Sequence, residues 1–259
     1  MPQSGTFGDA GCRPGRSRCL SVVPGTYKTE AVVLRSIRFG EADRVLHLYS
    51  ADRGRIGAIA KGSRRPRSRF GGRLEPFFRL DLILHEGRGD LATVTSAATV
   101  EGHARLRADG PALMAAARGC DAVLRLLDEA QPNPGAYNLL CRYLGLLDSG
   151  EGEGRPTALA FRLKLALAAG FTPELASCAR CGERDGLVGF SGAAGGVVCG
   201  ACEGGGFEIG PEAHRFMVEA LGRPLSEVPS ASGSALRQVE RAIAETLEHH
   251  AHVRLRAAA

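Results

Sequence analysis

The chain has 259 residues, 44% of them apolar and 24% charged, the balance of a folded globular protein and not of a disordered or fibrous one. Its net charge of +5 is unevenly spread: residues 27 to 80 hold 13 Lys/Arg against 5 Asp/Glu, whereas residues 81 to 259 carry a net −5. No stretch approaches the ~20 apolar residues of a membrane-crossing helix, and no secretory apolar core opens the chain. No membrane-crossing helix and a cytoplasmic location are therefore expected, and the basic segment marks the footprint of an anionic partner, nucleic acid or a membrane surface.

Residues 1–25, rich in Gly, Arg, Ser and Pro, have no periodicity and are expected to be a disordered leader, or to reflect a translation start assigned too early, with Val22 or Val23 as alternatives. From 26 to 103 the apolar residues come in five strand-sized runs, "TYKTEAVVLRSI", "DRVLHLYSAD", "GRIGAIAKG", "FFRLDLILHEG" and "DLATVTSAATVEG", divided by Gly, Asp and Pro. In the fourth, Phe78, Leu80, Leu82 and Leu84 form one apolar face. Five short strands in this length predict a small β-barrel of the OB-fold type.

The period then changes. Over 104–176 a helix opened by Pro111 carries Leu113, Ala117, Cys120, Leu124 and Leu127 as its apolar stripe, a second carries Leu140, Tyr143, Leu144 and Leu147, and a third carries Leu159, Leu163 and Leu167 and stops at Gly170. Residues 177–206 form a cysteine module, and 207–259 are expected to be helices packing back on the helical domain. The fold class is thus α+β and multidomain. With no Trp in the chain, the helices are expected to pack on Leu and Ala.

Between the third and fourth strands runs "AKGSRRPRSRFGGR", with Lys61, Arg64, Arg65, Arg67, Arg69 and Arg73 and no carboxylate. Such a run is either a solvated loop or a polyanion site. A lone surface arginine is ordinarily just solvated, but a cluster beside the groove of a barrel lies where nucleic-acid backbones are held. Arg35, Arg38 and Arg44 flank the "FGEAD" turn as further candidates. Phe39 and Phe70, inside these polar segments, are candidates for stacking on bases, whereas Tyr49, Phe77 and Phe78 are assigned to the core.

"CARC" and "CGAC" place Cys178, Cys181, Cys199 and Cys202 in two C-x2-C pairs 17 residues apart, the spacing of a zinc ribbon. Four thiolates close a tetrahedron and leave no open position, so one structural Zn2+ is expected. Two disulfides or four free thiols are the competing readings. A deaminase would need a His-x-Glu element, which the chain lacks. Cys12, Cys19, Cys120 and Cys141 are read as unremarkable.

Taken together, "YKTEAVVLRSIRFGEADRVLHLYS", "AKGSRRPRSRFGGRLEPF", "LALAAGFTPELASCARCG" and "GGVVCGAC" resemble the RecO family of bacterial recombination mediators, from Tyr27 nearly to the end. The resemblance implies an N-terminal OB-fold, helical regions and a zinc-ribbon insert. It implies a DNA repair and homologous recombination role that is not enzymatic: binding single- and double-stranded DNA, annealing complementary strands, and with RecR helping RecA onto strands coated by single-strand-binding protein. It also implies contact with that protein's acidic C-terminal tail, for which Arg118, Arg125, Arg142, Arg162 and Lys164 would supply a basic rim. The implied location is cytoplasmic and nucleoid-associated.

The basic loop fits such a role, because phosphate contacts carry no sequence information. Competing readings are a zinc-ribbon RNA-binding or transcription-associated factor, and a nuclease. The second lacks a carboxylate cluster: Glu41 and Asp43 have no metal-binding partner and read as turn caps. His249, His250 and His252 read as a helix end. No phosphate-binding G-x-x-x-x-G-K-[ST] loop is present.

Overall fold

The computed structural model describes residues 25–87, 89–152, 154–202 and 204–258. The expectations for residues 1–24, including Cys12 and Cys19, lie outside the described residues. Five strands come first: β1 (Thr26–Phe39), β2 (Asp43–Ser50), β3 (Gly54–Ala60), β4 (Arg79–His85) and β5 (Ala92–Glu101). They hydrogen-bond in the order β1-β2-β3-β5-β4, and antiparallel pairing of β1 with β4 closes the barrel. Ala31, Val33, Leu46, Leu48, Ala58, Leu80, Leu82, Leu84 and Val94 fill its interior, as the two-residue period of side-chain direction requires.

The run Ala31–Leu34 is apolar at every position because β1 is covered on both sides. Ala31 and Val33 face the barrel interior, while Val32 and Leu34, with Tyr49 and Phe77, join the core of the helical region. Barrel and helices therefore share a hydrophobic boundary. The β2–β3 turn shows how tight it is. At Gly54 (φ +67°), a Cβ would stand 2.2 Å from the Gln131 carbonyl oxygen, so only glycine fits the close approach.

The helices are α1 (Ala104–Ala108), α2 (Gly110–Leu126), α3 (Pro134–Ser149), α4 (Arg155–Ala168), α5 (Pro211–Gly222) and α6 (Gly233–His250). Side chains of Asp109, Asn133 and Ser232 accept the backbone N–H groups of Ala112, Ala136 and Ala235, capping α2, α3 and α6, and Pro111, Pro134, Pro156 and Pro211 stand in first turns. No helix among the described residues is long and apolar enough to cross a membrane.

The buried face of α2 differs from the stripe expected of it. Ala112, Ala116, Gly119, Cys120 and Val123 are buried, whereas Leu113 and Ala117 point outward. The reason is a pair of rings: Tyr143 and Phe161 stack 4.2 Å apart, and a Cβ on Gly119 would meet Tyr143 at 2.8 Å. Small residues must take the inner face against those rings, which turns the larger Leu113 to solvent. On α4, Leu159 and Leu163 are buried as expected but Leu167 is exposed.

A three-stranded sheet of β6 (Leu187–Ser191), β7 (Gly196–Cys199) and β8 (Phe207–Glu208), in the order β7-β6-β8, completes the fold. Phe190 and Val197 enter the main core, while Cys178, Val198 and Cys199 form a separate small cluster.

Candidate nucleic-acid interface and metal centre

The segment from Lys61 to Arg73 is a chain of tight turns and not a free arm. Backbone bonds run Arg65 to Gly62, Ser68 to Arg65, Gly71 to Ser68 and Arg73 to Phe70, and Gly71 takes the positive φ (+54°) such turns demand. The segment is bolted to the β1–β2 turn. Asp43 Oδ1 accepts the Gly62 N–H at 2.7 Å, the Arg64 N–H donates to Ala42 O at 2.8 Å, and the Arg64 guanidinium donates to Gly40 O at 3.2 Å. Asp43 thus acts as a turn cap. Two basic stretches far apart in sequence are brought to one end of the barrel.

Lys61, Arg64, Arg65, Arg67, Arg69 and Arg73 are all exposed, and none forms an ion pair among the described residues. Arg38 is exposed too and stands directly across from Arg44. Like charges so placed repel. Arg44 is relieved by Glu75, 2.7 Å away, and is largely covered; it braces the loop and offers little to a ligand. Arg35 pairs with Asp121 at 3.1 Å but keeps half its side chain in solvent.

Phe70 corrects the sequence expectation. It is 1% exposed and sits in the barrel core with Leu74 and Phe78, with the Arg69 guanidinium over its ring, so it has no face free for a base. It closes the end of the barrel and anchors the loop. Phe39, at 56% exposure, is the aromatic that faces solvent.

The outward face of β1, β2 and β3 went unnoticed in the sequence. The register sets Ile37, Val45 and Ile59 in one row, and Arg35, His47 and Gly57 in the next. Leu91 covers Gly57. Ile37 and Phe39 are exposed apolar side chains on the part of β1 that leads to the turn holding the cationic loop, and Leu91 is exposed over Gly57; the sequence signal was the alternation Ile37-Arg38-Phe39 at a solvent end of a strand. His47 titrates below its ordinary range because burial and then the charges of Arg35 and Arg55 disfavour the imidazolium, with Glu129 opposing.

Of the expected rim, Arg162 is buried. It pairs with Glu240 at 3.7 Å and donates to Arg256 O at 2.6 Å. This is another correction: α4 is central, so its arginine holds the C-terminal tail to the core. Lys164 donates to Leu221 O. The C-terminal histidines join no metal-holding group among the described residues; His250 Nε2 contacts Gly192 O.

The Sγ atoms of Cys178, Cys181, Cys199 and Cys202 all lie within 4.8 Å of one another, and those of Cys181 and Cys199 are 3.7 Å apart. Tetrahedral Zn–S bonds of ~2.3 Å set thiolates about 3.8 Å apart, whereas a disulfide needs ~2.0 Å. The donor set therefore fits a thiolate-bound metal such as zinc. The backbone N–H groups of Cys199, and then of Arg180 and Cys181, lower the Cys178 thiol to about 6, whereas hydrogen bonds with the neighbouring sulfurs raise Cys181 and Cys202; the fit to a metal rests on the sulfur geometry.

Comparison with known proteins gives one family. Residues 25–103 match the family model described as Recombination protein O N terminal, and 107–258 the one described as Recombination protein O C terminal. A DNA repair protein RecO from Rubrobacter xylanophilus is 41% identical over 224 residues, covering 83% of this chain and 90% of that protein. One of the same name from Anaeromyxobacter dehalogenans is 37% identical over 239 residues, covering 89% and 93%. A third, from Bifidobacterium animalis subsp. lactis, is 41% identical over 175 residues, covering 67% and 72%.

Proposed function

The chain belongs to the RecO family of DNA repair proteins, and from that premise we propose that it binds single- and double-stranded DNA irrespective of sequence, anneals complementary strands and, with RecR, helps load RecA onto strands coated by single-strand-binding protein. It acts as a mediator and not an enzyme, in the cytoplasm at the nucleoid. The barrel is an OB-fold, and the cysteine module is a zinc ribbon whose single ion is structural.

The observation that carries this reading is the cluster of six exposed cations, without carboxylate partners among the described residues, held beside an outward apolar face. Lys61, Arg64, Arg65, Arg67, Arg69 and Arg73, with Arg38 and the exposed part of Arg35, contact phosphates; Phe39 and Ile37 lie under the bases. Neutralising two backbones at once lowers the repulsion between complementary strands, so annealing needs no chemical step. The test is annealing of complementary strands coated with single-strand-binding protein: acceleration by the wild type is expected, and its absence would overturn the reading.

The two phenylalanines give a paired prediction. Phe39→Ala is expected to weaken single-strand binding by about 1–3 kcal/mol with unchanged thermal stability. Phe70→Leu should cost on the order of 1–3 kcal/mol of stability in urea unfolding and leave binding nearly intact. Anisotropy titrations and melts on both variants check the pair, and the reverse pattern would reassign the stacking residue.

His47 supplies a pH dependence. Its imidazole titrates below 6.5 in the free protein, and a phosphate nearby would favour the protonated form. Binding then takes up a proton, so single-strand affinity rises as the pH falls from about 7.5 towards 6. His47→Gln should flatten that rise.

A further inference from the structure

A second cationic feature lies between β1 and α2. It is a cleft of about 490 Å3 with Arg35 and Phe77 on the barrel side, Met114, Arg118 and Arg125 on α2, and Arg256 from the C-terminal tail. Its sole lining carboxylate is Asp121, which pairs with Arg35 at 3.1 Å and Arg125 at 2.8 Å; four guanidinium groups against one carboxylate leave it strongly positive. Neither Arg118 nor Arg256 has a carboxylate partner among the described residues. Met114 is half exposed on its wall, an apolar surface beside cations.

Arg35 belongs to this cleft and to the outward barrel face at once. Residues 35, 37 and 39 alternate along one side of β1, so Phe39 to Arg35 spans about 13 Å at ~3.3 Å per residue. A strand laid along that side passes from Phe39 over the apolar row at Ile37 to Arg35 at the mouth of the cleft. We propose that the cleft holds the continuation of the single strand bound on the barrel, with Arg118 and Arg256 on its phosphates and Met114 against a base. Asp121 restrains this extension by occupying Arg35 and Arg125, the groups at the junction. The inference rests on the nucleic-acid reading of the barrel face.

The experiment compares oligodeoxythymidylates of about 8 and about 30 nucleotides, the short one within the ~4–16 that one such barrel covers. Arg118→Glu with Arg256→Glu is expected to weaken the long oligonucleotide on the order of tenfold, lower its salt slope by about 1.4, and leave the short one unchanged. Asp121→Asn, which removes no cation and frees both Arg35 and Arg125, should tighten the long one more than the short one. Loss of the short and long complexes in equal measure, no effect of either variant, or capture of an acidic peptide in the cleft with long-strand affinity untouched would each overturn the proposal. If the wild type fails to bind the short oligonucleotide, the barrel reading falls and this one with it; if the short one binds but added length brings no gain, only the cleft falls.

Discussion

Replacing Arg64, Arg65 and Arg67 with glutamate is expected to weaken single-stranded DNA binding on the order of 100-fold at ~0.1 M salt and to abolish annealing, while the barrel stays folded. The three side chains are exposed and none has a carboxylate partner to lose among the described residues, so reversal breaks no internal ion pair. The Arg64 contact with Gly40 O is the one side-chain bond among them; the anchors Phe70 and Leu74 and the Asp43 cap are untouched. Circular dichroism and a thermal melt should match wild type. Undiminished binding by a folded triple variant would remove the loop from the interface.

Loss of the proposed zinc ion is expected to have the largest effect on structure. The small core around the four cysteines consists of Cys178, Val198 and Cys199, with Leu187, Ala194 and Cys202 packed on it, too little burial to order a loop-rich segment unaided. In small zinc peptides the ion supplies about 10–16 kcal/mol. Cys181→Ser with Cys202→Ser, or a strong chelator, should release the ion and let amides of residues 178–202 exchange rapidly, while those of β1 to β5 remain protected. Because Phe190 and Val197 belong to the main core, the helical region should lose more of its stability than the barrel, whose interior is a separate cluster and which enters that core through Val32, Leu34, Tyr49 and Phe77. Hydrogen exchange with metal analysis checks this; native-like protection of the module in metal-free protein would contradict it.

The cysteine cluster was legible because spacing alone brings two turns together. The strands were legible as apolar runs, and Pro and Gly marked the helix ends. What could not be read depended on partners distant in sequence. Phe39 and Phe70 both sit among polar and basic residues, yet one ends a strand in solvent and the other plugs the barrel, a difference made by Leu74 and Phe78. The tie between Asp43 and Gly62, which merges two basic stretches into one surface, leaves no local trace. On α2, leucines suggested one face, and the rings of Tyr143 and Phe161 imposed another. Arg162 has a surface composition but a central helix. The candidate residues on the loop were readable as a charge run; the row Ile37, Val45 and Ile59 beside them was not, since strand register is needed to align it.

The central claim is that the loop arginines hold phosphates through ionic contact. Its most direct measurement is the dependence of single-strand affinity on salt for wild type and for the Arg64, Arg65 and Arg67 triple variant. With five or so phosphates neutralised, the wild-type plot of log affinity against log salt should fall with a slope of about −3 to −4, and the variant should lose about 2 or more of it. A wild-type slope near zero, or identical slopes for both proteins, would contradict the account.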